Sequence, residues 1–134
     1  MVDQTGKIGF IGLGAMGAGM AASLIREGFS VAGCDVRAEA VEAFKAAGGG
    51  GAPTPAEAAT GASLAIVVVV NAAQAEAVLF GKDGVAAILE NGTTAMLCST
   101  VPPDFARETE ARLNAEGIHF LDAPISGGAA RAKD

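Results

Sequence analysis

Apolar positions along this chain fall into two alternating kinds of segment. Short runs with little polar interruption stand at 7–12 (KIGFIG), 30–34 (SVAGC), 64–70 (LAIVVVV), 93–98 (TTAMLC) and 118–121 (IHFL). Their length, and the β-branched content of the third, predict strands buried on both faces. Between them apolar residues recur at helical spacing. Met16, Met20, Leu24 and Ile25 mark a first helix from Ala15, closed by Arg26, Glu27 and Gly28. Val41 and Phe44 mark a second over 38–47. Pro55 opens a short third over 55–60, where a first helical position tolerates a missing N–H. Helical stretches follow at 72–80 and 85–90, and a last one leads from Pro102 and Pro103 to residue 116, with Gly117 as its stop.

Strand and helix thus alternate along the full length, which predicts an α/β fold, a Rossmann-type doubly wound parallel sheet. At 134 residues the chain is the size of one domain, and we read 1–134 as one unit. The glycine run 48–51 reads as a loop.

One stretch invites a different reading. Residues 8–25 carry no charge, lie between Lys7 and Arg26, and reach the length of a membrane-spanning helix. Gly9, Gly12, Gly14, Gly17 and Gly19 lie inside it, and each costs a helix roughly 1 kcal/mol relative to Ala. Asp3 stands where a leader would be basic, and the apolar run at 64–70 is too short to cross a bilayer. No membrane association is expected.

Composition narrows the function classes. Acidic groups number 15 against 9 basic, for a formal charge of −6 with no basic block, which argues against a nucleic-acid partner. Cys34 and Cys98 are far apart and form no C-x-x-C or Cys/His cluster, so they read as buried thiols of a cytoplasmic protein. With His119 as the single histidine, no metal site is expected.

The chemistry-bearing pattern is Gly12-x-Gly14-x-x-Gly17, placed between the first strand and the first helix. In that setting the first glycine permits a tight turn, the second lets a pyrophosphate approach the backbone, and the third lets helix and strand pack closely. The helix start then favours an anion. Asp35 follows Gly17 by 18 residues, at the end of the second strand, where a carboxylate accepts hydrogen bonds from adenosine ribose hydroxyls. A 2′-phosphate about 4 Å from that carboxylate would be repelled by roughly 4 kcal/mol at an effective dielectric near 20, which favours NAD over NADP. Arg37 pulls the other way, since a basic residue there can hold a 2′-phosphate. A simple helix cap is the competing role for Asp35. Asn71, Ser99, Thr100 and residues 122–128 stand at other strand ends and are expected to face the same crevice. Asn71 and Ser99 could equally cap the helices that follow them, and Gly127 and Gly128 could be a turn.

Oxidising an alcohol needs a group to take the hydroxyl proton. His119 precedes the last strand, at the end away from the crevice, and Lys7, Lys45, Lys82 and Lys133 stand at no strand end facing it. No catalytic residue is therefore expected within 1–134.

With both IGFIGLGAMGAGM (8–20) and DAPISGG (122–128) in view, the chain resembles the amino-terminal domain of the β-hydroxyacid dehydrogenases, the 3-hydroxyisobutyrate and 6-phosphogluconate dehydrogenase family. The resemblance covers essentially the whole chain. It implies NAD as cofactor, held by Gly12, Leu13, Gly14, Ala15, Met16, Gly17, Asp35, Val36, Arg37, Val70, Asn71, Gln74 and Thr100, the last near the nicotinamide. It also implies that Ser126, Gly127 and Gly128 contact substrate, that a lysine in a following helical domain is the acid/base group, and that the whole protein is a homo-oligomer. Members commonly carry proline where this chain has Asn71. That departure, with the stretch NAAQAEAVLFGKDGVAA (71–87), resembles the L-threonate dehydrogenase branch and implies hydride transfer from C2 of a small hydroxy acid to NAD. 3-Hydroxyisobutyrate and tartronate semialdehyde are the alternative substrates. A dinucleotide sensor without chemistry is the competing class, and it would have no need of a second ligand at 126–128.

Overall fold

A computed structural model describes residues 7–123. The elements run β1 (Lys7–Ile11), α1 (Ala15–Arg26), β2 (Ser30–Cys34), α2 (Ala38–Ala46), β3 (Gly50–Gly51), α3 (Pro55–Ala59), β4 (Ala62–Val67), α4 (Ala72–Phe80), a 3-10 turn (Val85–Ala87), β5 (Thr94–Leu97), α5 (Pro103–Ala115) and β6 (His119–Asp122). The strands form one sheet in the order β3-β2-β1-β4-β5-β6, with every neighbouring pair parallel. The predicted doubly wound sheet is the fold observed.

Alternation along the strands divides the core. Ile8, Phe10 and Ile66 join Leu13, Ala21 and Phe44 on the face covered by α1 and α2. Ile11, Ala65, Val67 and Leu97 join Ala58, Ala75, Leu79 and Leu113 on the other, beneath α3, α4 and α5. Parallel crossovers are right-handed, so the connections that run from β1 toward β3 put α1 and α2 on one face, and those that run back toward β6 put α3, α4 and α5 on the other. The order reverses between β1 and β4, and the chain ends leaving these two strands diverge to open a crevice.

Three local expectations change. The glycines at 50 and 51 are a short edge strand, pairing Ala32 with Gly50 and Gly33 with Gly51. Their neighbour Gly49 is required by packing: a Cβ there would lie 2.2 Å from the Phe44 ring, so the glycine run admits an aromatic side chain. The valine run leaves the sheet early, because β1 and β5 reach only to Ile11 and Leu97, which pair with Val67. The 85–90 piece is only a 3-10 turn at Val85–Ala87. Elsewhere the caps are as the residue types suggest, Thr54 accepting from Glu57 N–H at 3.1 Å with Pro55 opening α3. Among the described residues no helix is long and apolar enough to cross a membrane.

Candidate functional site

The three glycines of the turn are needed for three different reasons. Gly12 has φ +104°, and a Cβ there would lie 1.8 Å from the Val68 carbonyl oxygen. At Gly17 a Cβ would lie 2.0 Å from the Gly12 carbonyl oxygen, so a side chain would push α1 off β1. Gly14 is different: its backbone is extended (φ −66°, ψ −175°), and the one atom within 4 Å of a Cβ would be a terminal nitrogen of Arg37, at 3.7 Å. The fold does not require glycine at 14. What a side chain would fill there is open space above the start of α1.

That helix start has no side-chain cap. The first intrahelical bond is Ala18 N–H to the Gly14 carbonyl at 2.7 Å, so the N–H groups of Ala15, Met16 and Gly17 have no carbonyl in the helix to bond. Bare donors and the positive end of the helix dipole suit an anion.

Asp35 stands beside this turn. Its Oδ2 accepts from Leu13 N–H at 2.7 Å, and its Oδ1 accepts from Arg37 N–H at 2.9 Å and Arg37 Nε at 3.2 Å. The carboxylate side chain is 9% exposed and the guanidinium 51%. Partial burial pushes the Asp35 carboxyl up, but the two backbone N–H groups and the guanidinium together outweigh it and hold it below the usual carboxylate range. The same pairing pushes Arg37 up. Asp35 does not cap α2, whose N-cap position is Arg37 and carries no side-chain cap bond.

Turn, carboxylate and valine run enclose a cleft of about 700 Å³, within the range of small-molecule and cofactor sites. Of the residues singled out from sequence, Gly12, Gly14, Met16, Gly17, Asp35, Val36, Arg37, Val70 and Gln74 line it. Val36 is fully exposed and Val70 is 80% exposed, two apolar side chains held at the rim. Leu13 contributes its N–H to Asp35 while its side chain is buried in the core. Pro53, Pro55, Ala77 and Val78 also line the cleft. Sequence reasoning missed them, because they come from the loop before α3, from α3 and from α4, whose approach to the crevice depends on the sheet order. The prolines at the entrance to α3 are the one signal that could have flagged them.

Asn71 and Gln74 are a reciprocal cap. Asn71 Oδ1 accepts from Gln74 N–H at 2.9 Å, and Gln74 Oε1 accepts from Val70 N–H at 2.8 Å. The cap expected of Asn71 is present; its amide nitrogen is not used by that bond. Ser99 caps nothing. Its hydroxyl donates to the Val69 carbonyl at 2.6 Å and accepts from Val69 N–H at 3.0 Å, supplying the partners that the sheet no longer offers there. Thr100 is exposed at the carboxyl end of β5. His119 begins β6, at the opposite end of the sheet. Both cysteines are buried, and burial pushes the Cys98 thiol up to about 11. Ser126, Gly127 and Gly128 lie outside the described residues.

Parallel sheet, reversal point, glycine turn and strand-end carboxylate define a dinucleotide-binding domain. Residues 7–134 match the family model of the NAD binding domain of 6-phosphogluconate dehydrogenase, and the chain belongs to that family. It is 50% identical over 126 residues to L-threonate dehydrogenase of Cupriavidus necator, covering 94% of this chain and 42% of that protein. It is 37% identical over 126 residues to the NAD-dependent L-serine dehydrogenase of Pseudomonas aeruginosa, covering 94% of this chain and 42% of that one. Among solved structures, one described as 3-hydroxyisobutyrate dehydrogenase from Salmonella typhimurium superposes with a TM-score of 0.90 at 41% identity, covering 95% of this chain and 44% of that one. The chain thus spans less than half the length of these relatives.

Proposed function

We propose that this chain is the cofactor-binding part of an NAD-dependent dehydrogenase acting on a small hydroxy acid of the L-threonate type. The observation that carries this reading is Gly14: its missing side chain serves no packing or backbone need of the fold, and the space it leaves lies over the uncapped start of α1 beside Asp35. A diphosphate fits that donor set, with Asp35 receiving the adenosine ribose. Val36, Val70 and Gln74 then border the adenosine, and Asn71 and Thr100 lie toward the nicotinamide. NAD is preferred to NADP, because Asp35 is ionised and would face a 2′-phosphate.

In the whole protein, bound NAD would supply a hydride acceptor for C2 of the hydroxy acid and a lysine would take the C2 hydroxyl proton, so that a 2-oxo acid would result. That lysine belongs to a helical domain following residue 134, with Ser126, Gly127 and Gly128 of this chain on the substrate. We place the whole protein in the cytoplasm as a homo-oligomer.

The test is a screen of the full-length protein with L-threonate, 3-hydroxyisobutyrate and L-serine, each with NAD and with NADP, read by the absorbance of the reduced nicotinamide. L-Threonate with NAD is expected to give the highest kcat/KM. No reduction with any hydroxy acid, despite bound NAD, would return the chain to the sensor class.

A further inference from the structure

Asp35 has fewer free acceptor sites than a ribose diol needs. A carboxylate offers about four lone-pair sites, two on each oxygen. Oδ1 already holds two donors, Arg37 N–H and Arg37 Nε, and Oδ2 holds one, Leu13 N–H. One site remains. A ribose diol brings two hydroxyl donors, so it cannot be received by both hydroxyls while all three present donors stay. The two N–H groups are fixed by the backbone of the glycine turn and of the β2–α2 connection. Only the guanidinium can leave, and it is the half-exposed member of the pair. Its terminal nitrogen already stands 3.7 Å from where a Gly14 Cβ would be, at the edge of the space over the α1 start.

We propose that Arg37 is a latch exchanged by the cofactor: it holds Asp35 through the observed Nε–Oδ1 pairing, gives up Oδ1 to the adenosine ribose, and turns its guanidinium onto the adenosine-side phosphate above Gly14. The proposal rests on the dinucleotide reading above. It makes Arg37 a positioning residue before binding and a phosphate contact after it. The exchange conserves charge pairing. Asp35 trades a cation for two hydroxyl donors, and the cation meets the charge that arrives with the ligand. An Arg can do this where a shorter base could not, because its planar fork presents several donors and its Nε can release one acceptor while the terminal nitrogens engage another.

Adenosine carries the diol without a phosphate, which separates the two halves of the exchange. The experiment titrates the full-length protein and its Arg37→Gln variant with adenosine by NMR and with ADP, NAD and NADP by calorimetry. In Arg37→Gln adenosine should bind equally or several-fold tighter, since no cation competes for Asp35. ADP and NAD should bind about tenfold weaker, with a shallower dependence of log Kd on log salt concentration. Arg37→Lys should recover part of the ADP affinity. Equal losses for adenosine and ADP would overturn the latch, as would a loss confined to NADP, which would send the guanidinium to the 2′-phosphate instead. If the unaltered protein bound none of the four, the dinucleotide reading and the latch would both be lost; binding of NAD with no change in the variant would remove the latch alone.

Discussion

Gly12 and Val68 are packed backbone to backbone, so closely that a Cβ at Gly12 would lie 1.8 Å from the Val68 carbonyl oxygen. This contact locks the turn after β1 to the chain leaving β4, and it sets the width of the crevice at the point where the strand order reverses. The Val68 N–H donates to the Ile11 carbonyl at 2.8 Å, and the Gly12 N–H to the Cys34 carbonyl at 2.9 Å.

Gly12→Ala should therefore be a folding defect. A non-glycine residue at that φ costs about 1–3 kcal/mol in backbone strain alone, and the backbone clash adds to it. Urea denaturation should show a large loss of stability.

Gly14→Ala should be the opposite case. Its added methyl meets only ordinary contact distance, so stability should change by no more than about 1 kcal/mol. NAD affinity should fall tenfold or more, because the methyl occupies space meant for the diphosphate. An unchanged Kd for NAD in calorimetry would mean that no diphosphate lies over Gly14.

Ser99→Ala tests how the valine run is held once it leaves the sheet. The hydroxyl satisfies both polar groups of Val69, and its loss should cost about 1–3 kcal/mol in urea titrations. Since Val69 lines the cleft, NAD affinity should weaken in parallel.

Asp35 gives a pH signature. Its folded-state pKa is depressed, so its contribution to stability is complete above the unfolded value of about 3.9 and drains away as the pH falls through the lower folded value. Melting temperatures of the protein and of Asp35→Asn should differ most near neutrality and converge in strong acid. A difference independent of pH would mean that the carboxylate acts through shape, not charge.

The thiols offer a simpler check. Cys34 and Cys98 are buried with raised pKa values, so both should resist a thiol reagent at pH 8 in the folded protein and react once it is denatured.

The sheet and the glycine turn were legible in the residues because both write a periodic or positional signal: apolar runs of strand length, helical spacing from Met16 to Ile25, and three glycines between them. The strand Gly50–Gly51 wrote none, since glycine pairs through its backbone alone and reads as loop. The point where the valines leave the sheet was equally hidden. It is set by where Ile11 and Leu97 stop, which is a property of the neighbours. The site was legible to the same degree. Gly12, Gly14, Gly17 and Asp35 follow from spacing, whereas the Arg37 pairing, the Ser99 bridge and the proline wall at 53 and 55 depend on which loops tertiary folding brings together.

The margins of the sheet are unequal. On the β3 side the sheet ends in two side-chain-less residues, a rim too brief to recruit a stray strand, so that flank resists edge-to-edge aggregation without any charged gatekeeper. Among the described residues the rim on the β6 side is twice as long and carries the half-exposed Leu121, so it offers an incoming strand both backbone partners and an apolar side chain that the glycine rim lacks.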